Sequence, residues 1–164
     1  MKIREETIPN TNAIKSALSK IDFKDTFATT NKTDDLKTIS NLIFGTFPGW
    51  IGFLMKLRNT LVKPFGLKVD MPEDYNIDFK VGGYSGFFKI YNILDNELIL
   101  GADDKHLNFR VSILDSSEPS FNIKVTTLVE YNNFFGKTYM VIVAPFHRIV
   151  VKSMVKRAYN VDSH

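Results

Sequence analysis

Three groups of polar residues in this chain have types and spacing suited to chemistry, and His147 heads them. At about 100° per residue, Val150, Val151, Met154 and Ala158 fall on one helical face with His147 at its centre, in the expected first turn of a terminal helix. Such a histidine points inward, and the positive end of the helix dipole favours its neutral form. It is either a buried imidazole bonded to a backbone carbonyl or strand side chain, or a ligand-facing acid or base. The second group is Arg58, which interrupts an apolar stripe of Ile51, Met55 and Val62. Its guanidinium would either meet a ligand carboxylate or phosphate bidentately, or bury its stem and extend its head to water. The third comprises Asp103, Asp104, His106 and Arg110. Asp104, His106, Asn108 and Arg110 share one face of an expected strand, opposite Leu107, Phe109 and Val111. They read as a polar site at a cavity mouth or as a structural ladder in which a carboxylate neutralises Arg110.

Other chemistry is not written in the chain. Asp104 and His106 supply two metal ligands where three or four are needed, with His147 the remaining internal histidine, so neither a metal nor another cofactor is expected. No serine elbow, phosphate loop or paired-carboxylate spacing is present. Arg148, Lys152 and Lys156 form a basic stripe that reads as a solvated face, with weak attraction to an anionic surface as the alternative.

Elements that must position these groups follow from periodicity. Residues 1–20 read as a loosely structured arm with a short helical turn over Asn12–Ser19 behind Thr11. Asp22–Thr30 alternates as a strand. Asp34 then caps a helix carrying Leu36, Ile39, Leu42 and Ile43, and Pro48 opens a second one carrying Trp50, Phe53, Leu54, Leu57 and Leu61. Beyond Asp78 the period becomes alternating. Strands are expected at Phe87–Asn92, Glu97–Leu100, His106–Leu114, Phe121–Tyr131 and Thr138–Ala144, the last running through Pro145 into the terminal helix. Apolar pairing sets Ile113 opposite Phe121 and Phe109 opposite Val125, and sets Val125 opposite Val143 in the next hairpin. The outer face then carries Leu128, Met140 and Ile142, an apolar patch suited to a partner subunit, so a homodimer is among the expected partners.

A chain of 164 residues suits a single domain, 1–164, with one core. Hydrophobic residues make up 44%, charged residues 24%, and fourteen are Phe, a ring-rich interior for a sheet that wraps around something. A net charge of +3, dispersed along the chain, does not suit a nucleic-acid partner. The absence of Cys excludes disulfides, thiol catalysis and cysteine-bound metals. The N-terminal residues lack the apolar core of a signal peptide and no run reads as an integral membrane segment, so the expected location is cytoplasmic.

Three segments carry a resemblance: PGWIGFLMKLRNTLVKPFGLK at Pro48–Lys68, LGADDKHLNFRVS at Leu100–Ser112, and Tyr139–Ala158 with its PFHRIVVKSMVKRA. They resemble an uncharacterised bacterial family known only as a domain of unknown function. The order strand, two helices, antiparallel meander and long helix is similar to the helix-grip fold of the Bet v 1, START and polyketide-cyclase group. The resemblance implies an α+β fold in which a curved antiparallel sheet wraps around the C-terminal helix, with two shorter helices after the first strand. It also implies a cavity for apolar or amphipathic small molecules. Related domains occur appended to reductase-like domains; no G-x-G-x-x-G follows a strand here, so such a partner would act in trans.

The leading functional expectation is a non-catalytic small-molecule-binding module, its ligand held by Trp50, Arg58, Phe109, Tyr139, His147, Val151 and Met154. The alternatives are a cyclase- or dehydratase-like enzyme with His147 as acid or base and Arg58 or Tyr139 polarising an oxygen, and a non-catalytic interaction or dimerisation domain.

Overall fold

The computed structural model describes residues 1–46, 49, 52, 56, 59, 60, 63–66 and 72–162. Trp50 and Arg58 therefore lie outside the described residues, as does most of the expected second helix. The fold is mixed α+β, a seven-stranded antiparallel open sheet with a long C-terminal helix. In chain order the elements are β1 (Arg4–Glu5), α1 (Asn12–Ser16), β2 (Phe23–Thr29), α2 (Leu36–Phe44), β3 (Tyr84–Ser85), β4 (Phe88–Ile93), β5 (Glu97–Asp103), β6 (Leu107–Asp115), β7 (Ile123–Tyr131) and α3 (Phe134–Lys156). The sheet order β1-β2-β7-β6-β5-β4-β3 sets the first long strand beside the last.

The period-2 rule assigns the faces. Phe27, Leu98, Leu100, Val111, Ile113, Ile123 and Val125 share the inner face and form the main core with Ile39 and Ile43 of α2 and Met154, Val155 and Ala158 at the end of the chain. The capping residue of α2 is Asp35, whose carboxylate accepts from the Thr38 N–H at 2.8 Å; Asp34 accepts from the Asn31 amide instead. In the β6–β7 hairpin Ile113 faces Val125 and Phe109 faces Val129, four residues further along β7 than the sequence register placed them. The even shift leaves every side chain on its expected face. Its cause is a wide loop rather than a tight turn: Ser117 and Phe121 both take positive φ, and the Ser116 N–H bonds to the Asn122 carbonyl.

The expected strand Thr138–Ala144 does not form. Asn133 caps a helix that begins at Phe134 and continues through Pro145 to Lys156, and the partner of β7 on that side is β2, with Phe27 opposite Val125. Val141, Ile142 and Val143 have strand propensity, but packing of Met140 against Leu107 and Val129 overrides it. Pro145 costs the helix one hydrogen bond, to the Val141 carbonyl, on a side where both residues are exposed and water can replace it. By length and composition alone α3 is apolar enough to cross a membrane. Here its inward residues pack on β2, β7 and α2, whereas Val141, Ile142, Phe146 and Ile149 are exposed.

The outer face of the sheet is covered by the chain's own N-terminal residues. Residues 1–20, expected as a loose arm, carry β1 and α1. The Glu6 N–H bonds the Thr26 carbonyl, the Thr11 hydroxyl donates to Glu97 at 3.0 Å, and the Ser19 hydroxyl donates to Glu130 at 2.5 Å. This path crosses from the β2 edge to β5 and back, and Ala13, Ile14 and Leu128 are all buried. The apolar outer patch expected from Leu128, Met140 and Ile142 is thus not one surface: Leu128 is buried within the chain, Met140 sits in the inner cluster and Ile142 is an exposed helix residue.

Candidate functional site

Phe23, Asp25, Phe27 and Thr29 alternate on the inner face of β2, so the strand period places one carboxylate among rings. The long helix aims His147 at it. His147 Nε2 lies 3.3 Å from Asp25 Oδ2, with the two side chains 20% and 4% exposed. The distance is that of an ion pair, but the alignment makes no hydrogen bond, and Asp25 Oδ1, Oδ2 and His147 Nε2 are buried without a hydrogen-bond partner. The Phe23 ring meets the imidazole edge-on, at 5.8 Å between centroids. Beside the pair, Arg148 binds Glu5 through two hydrogen bonds of 2.9 and 2.6 Å, and the Arg148 and Lys152 cations lie over the Phe27 ring.

His147 therefore points inward as the helical face required, but it stands in the middle of a 23-residue helix. The dipole argument for a neutral imidazole does not apply there, because that field fades within the first turn. Tyr139, expected on a strand, is on the same helix eight residues earlier, about 12 Å along the axis, and packs with Leu107, Val129 and Met140. Phe109 stacks edge-on against Phe88 at 5.2 Å, Val151 packs against the core from a half-buried position, and Met154 is part of the core itself. The polar partner of His147 is Asp25, which the sequence reading passed over as one charged residue in an alternating strand. Its odd-numbered register with Phe23 and Phe27 was the available signal.

The Asp103–Arg110 group serves the hairpin and the start of α3. Arg110 donates to Asp103 at 2.7 Å and to the Phe109 carbonyl at 2.8 Å, and its guanidinium lies 3.7 Å from the Tyr91 ring centre. Asp104 and His106 lie in the β5–β6 turn, not on a strand face. The Asn133 amide donates to His106 Nδ1 at 2.9 Å while its Oδ1 accepts from the Gly136 N–H, so the helix cap is bonded to the turn. The neighbouring Asn132 amide donates to the Asp104 carbonyl at 2.8 Å. Gly136 is required at this contact: a Cβ there would stand 2.0 Å from the His106 carbonyl oxygen.

The surface also carries two open polar depressions, of about 470 Å³ beside Asn31, Asp34 and Asn122 and about 510 Å³ beside Asp22, Tyr131 and Lys137. The first is a structural knot. The Asn122 side chain accepts from the Asn31 backbone N–H at 3.0 Å and donates to the Asn31 carbonyl at 2.7 Å and to Asp115, while the Asn31 side-chain amide donates to Asp34 and to the Ala158 carbonyl. Among the described residues no group of three or more His, Asp or Glu side chains comes together as a metal site.

Among the described residues, Asp25 and His147 are thus the buried polar groups with unspent capacity: a carboxylate that can only accept, and an imidazole nitrogen that can donate or accept. Together they can hold a polar group of a bound molecule or pass a proton to and from it. No curated protein matches this chain, and no solved structure does. A family model described as "Protein of unknown function (DUF2867)" matches residues 17–154, a span that takes in the sheet from β2 to β7 and nearly all of α3, and the chain belongs to that family.

Proposed function

We propose that this chain is a small-molecule-binding module of helix-grip type, in which an apolar or amphipathic ligand lies between the inner sheet face and the long helix, its polar end against Asp25 and His147. The observation that carries the reading is the buried pair without hydrogen bonds. Leaving a buried acceptor unsatisfied costs about 1–3 kcal/mol, and two or three such atoms in one place call for a compensating use. A few convergent polar groups among aromatic and aliphatic walls are the usual chemistry of a ligand site. Phe23, Phe109, Tyr139, Val150 and Val151 stay half-buried along the same seam, apolar surface that a ligand would cover.

Native and denaturing mass spectrometry of freshly purified protein tests this directly. A stoichiometric small molecule that travels with the folded chain and leaves on unfolding is the expected result. A chain that carries nothing and also fails to bind a fluorescent apolar reporter would sink the proposal. The same pair favours one further reading, acid–base catalysis by His147 with Asp25 holding the imidazolium, in the manner of a cyclase or dehydratase. Turnover of a bound carbonyl compound, lost in His147→Phe, would move the assignment from carrier to enzyme.

A further inference from the structure

We infer that the ligand of this site presents a neutral hydroxyl head, an alcohol, phenol or enol, that donates to Asp25 and accepts from His147; the inference rests on the binding reading above. The donor inventory selects the head. A carboxylate oxygen only accepts, so a group that satisfies Asp25 must carry a proton; an Nε2–H that is to be satisfied needs an acceptor. One hydroxyl oxygen does both. With Asp25 Oδ2 and His147 Nε2 separated by 3.3 Å, a single oxygen at ordinary hydrogen-bond distances of about 2.7–3.0 Å from each completes a triangle with them. The Asp25 carboxylate 3.3 Å away favours the tautomer with its proton on Nε2; an ammonium head cannot accept from that proton, and a carboxylate head cannot donate to Asp25.

Charge points the same way. Arg148 and Lys152 of α3 lie over Phe27, two residues along β2 from Asp25, and Glu5 of β1 is bonded to Arg148. The formal charges of Asp25, Glu5, Arg148 and Lys152 sum to zero. An anionic head would face the Asp25 carboxylate, and a cationic one would pair with Asp25 but leave the His147 Nε2–H without an acceptor. A neutral head meets neither cost. Its body must be apolar, because the Phe23 ring stands edge-on to the imidazole and Phe27 closes the other side of Asp25 on the strand.

Four probes with the same chain separate the possibilities: 1-octanol, octanoate, octylammonium and octane, each titrated at neutral pH against a bound apolar fluorescent reporter. Octanol is expected to bind at least about tenfold more tightly than the other three, the ratio worth 1.4 kcal/mol. Asp25→Val should erase that advantage while octane binding stays. His147→Phe, which keeps a ring against Phe23, gives the same readout should the first variant not fold. Octane, octanoate or octylammonium binding as tightly as octanol overturns the hydroxyl head and leaves the binding site standing. Failure of all four to displace the reporter, or of the reporter to bind, overturns both.

Discussion

Asp25 stands where the strand period calls for an apolar side chain, and its consequences can be measured without knowing any ligand. Removing one member of a buried polar pair leaves the other without a partner, whereas replacing both by apolar groups is often neutral or stabilising by about 1–4 kcal/mol. We therefore expect Asp25→Val and His147→Leu each to lower stability and the double variant to regain the loss and exceed the parent by about 1–3 kcal/mol. Urea denaturation of the four proteins at one pH measures the cycle. A double variant weaker than both singles would mean that the pair holds the fold together and is not kept at its expense. This residue was legible in part. The face of His147 followed from helical spacing, and that of Asp25 from its register with Phe23 and Phe27, but their meeting depends on how the helix lies across β2, which no local pattern encodes.

The long helix shows where local pattern and packing part. Thr138, Tyr139, Val141, Ile142 and Val143 are strand formers, and Pro145 suits the first turn of a helix better than its middle; a strand ending at Ala144 is what propensity alone dictates. Packing decided otherwise, because Asn133 caps the helix at Phe134 and Met140 buries against Leu107 and Val129. β5, β6 and β7 were legible to within a few residues, since their inner faces alternate apolar side chains, interrupted within β7 by Thr127. Two substitutions test the helix. Pro145→Ala restores the hydrogen bond to the Val141 carbonyl at an exposed site, and thermal unfolding should show a gain of up to about 3 kcal/mol; a loss would mean that docking needs the proline geometry. Gly136→Ala normally favours a helix, yet here the new Cβ collides with the His106 carbonyl. Destabilisation of about 1–3 kcal/mol, against the sign of propensity, is expected. An unchanged or raised melting temperature would show that the helix start is not pressed on the β5–β6 turn.

At the scale of the whole molecule, the sheet is covered on one face by helices and on the other by residues 1–20, so the N-terminal segment acts as a third layer. Its ties are ionic as well as apolar. Glu5 is held below its ordinary pKa by the hydrogen bond from Arg148. Burial pushes Glu6 up, but hydrogen bonds from Arg4 and Lys124 outweigh it and leave the carboxyl below its ordinary value of 4.5. For a group whose pKa falls on folding, stability is complete above the unfolded value and is lost as the pH drops through the folded one. Acid should therefore loosen this layer first: hydrogen exchange below about pH 4.5 should lose protection in the amides of Glu6 and α1 before those of β5 to β7. Uniform loss across the sheet would show that the segment does not move as a separate unit. Removing residues 1–16 is the stronger test. Thr26, Ala28, Ile99 and Leu128 are nearly inaccessible on the outer face, and without the segment the edge of β2 would also lose its β1 partner. An apolar surface beside an unpaired strand edge promotes association. Light scattering should find oligomers in the truncated protein where the full chain runs as one species, and a truncated chain of unchanged size and stability would remove the segment from the fold's architecture.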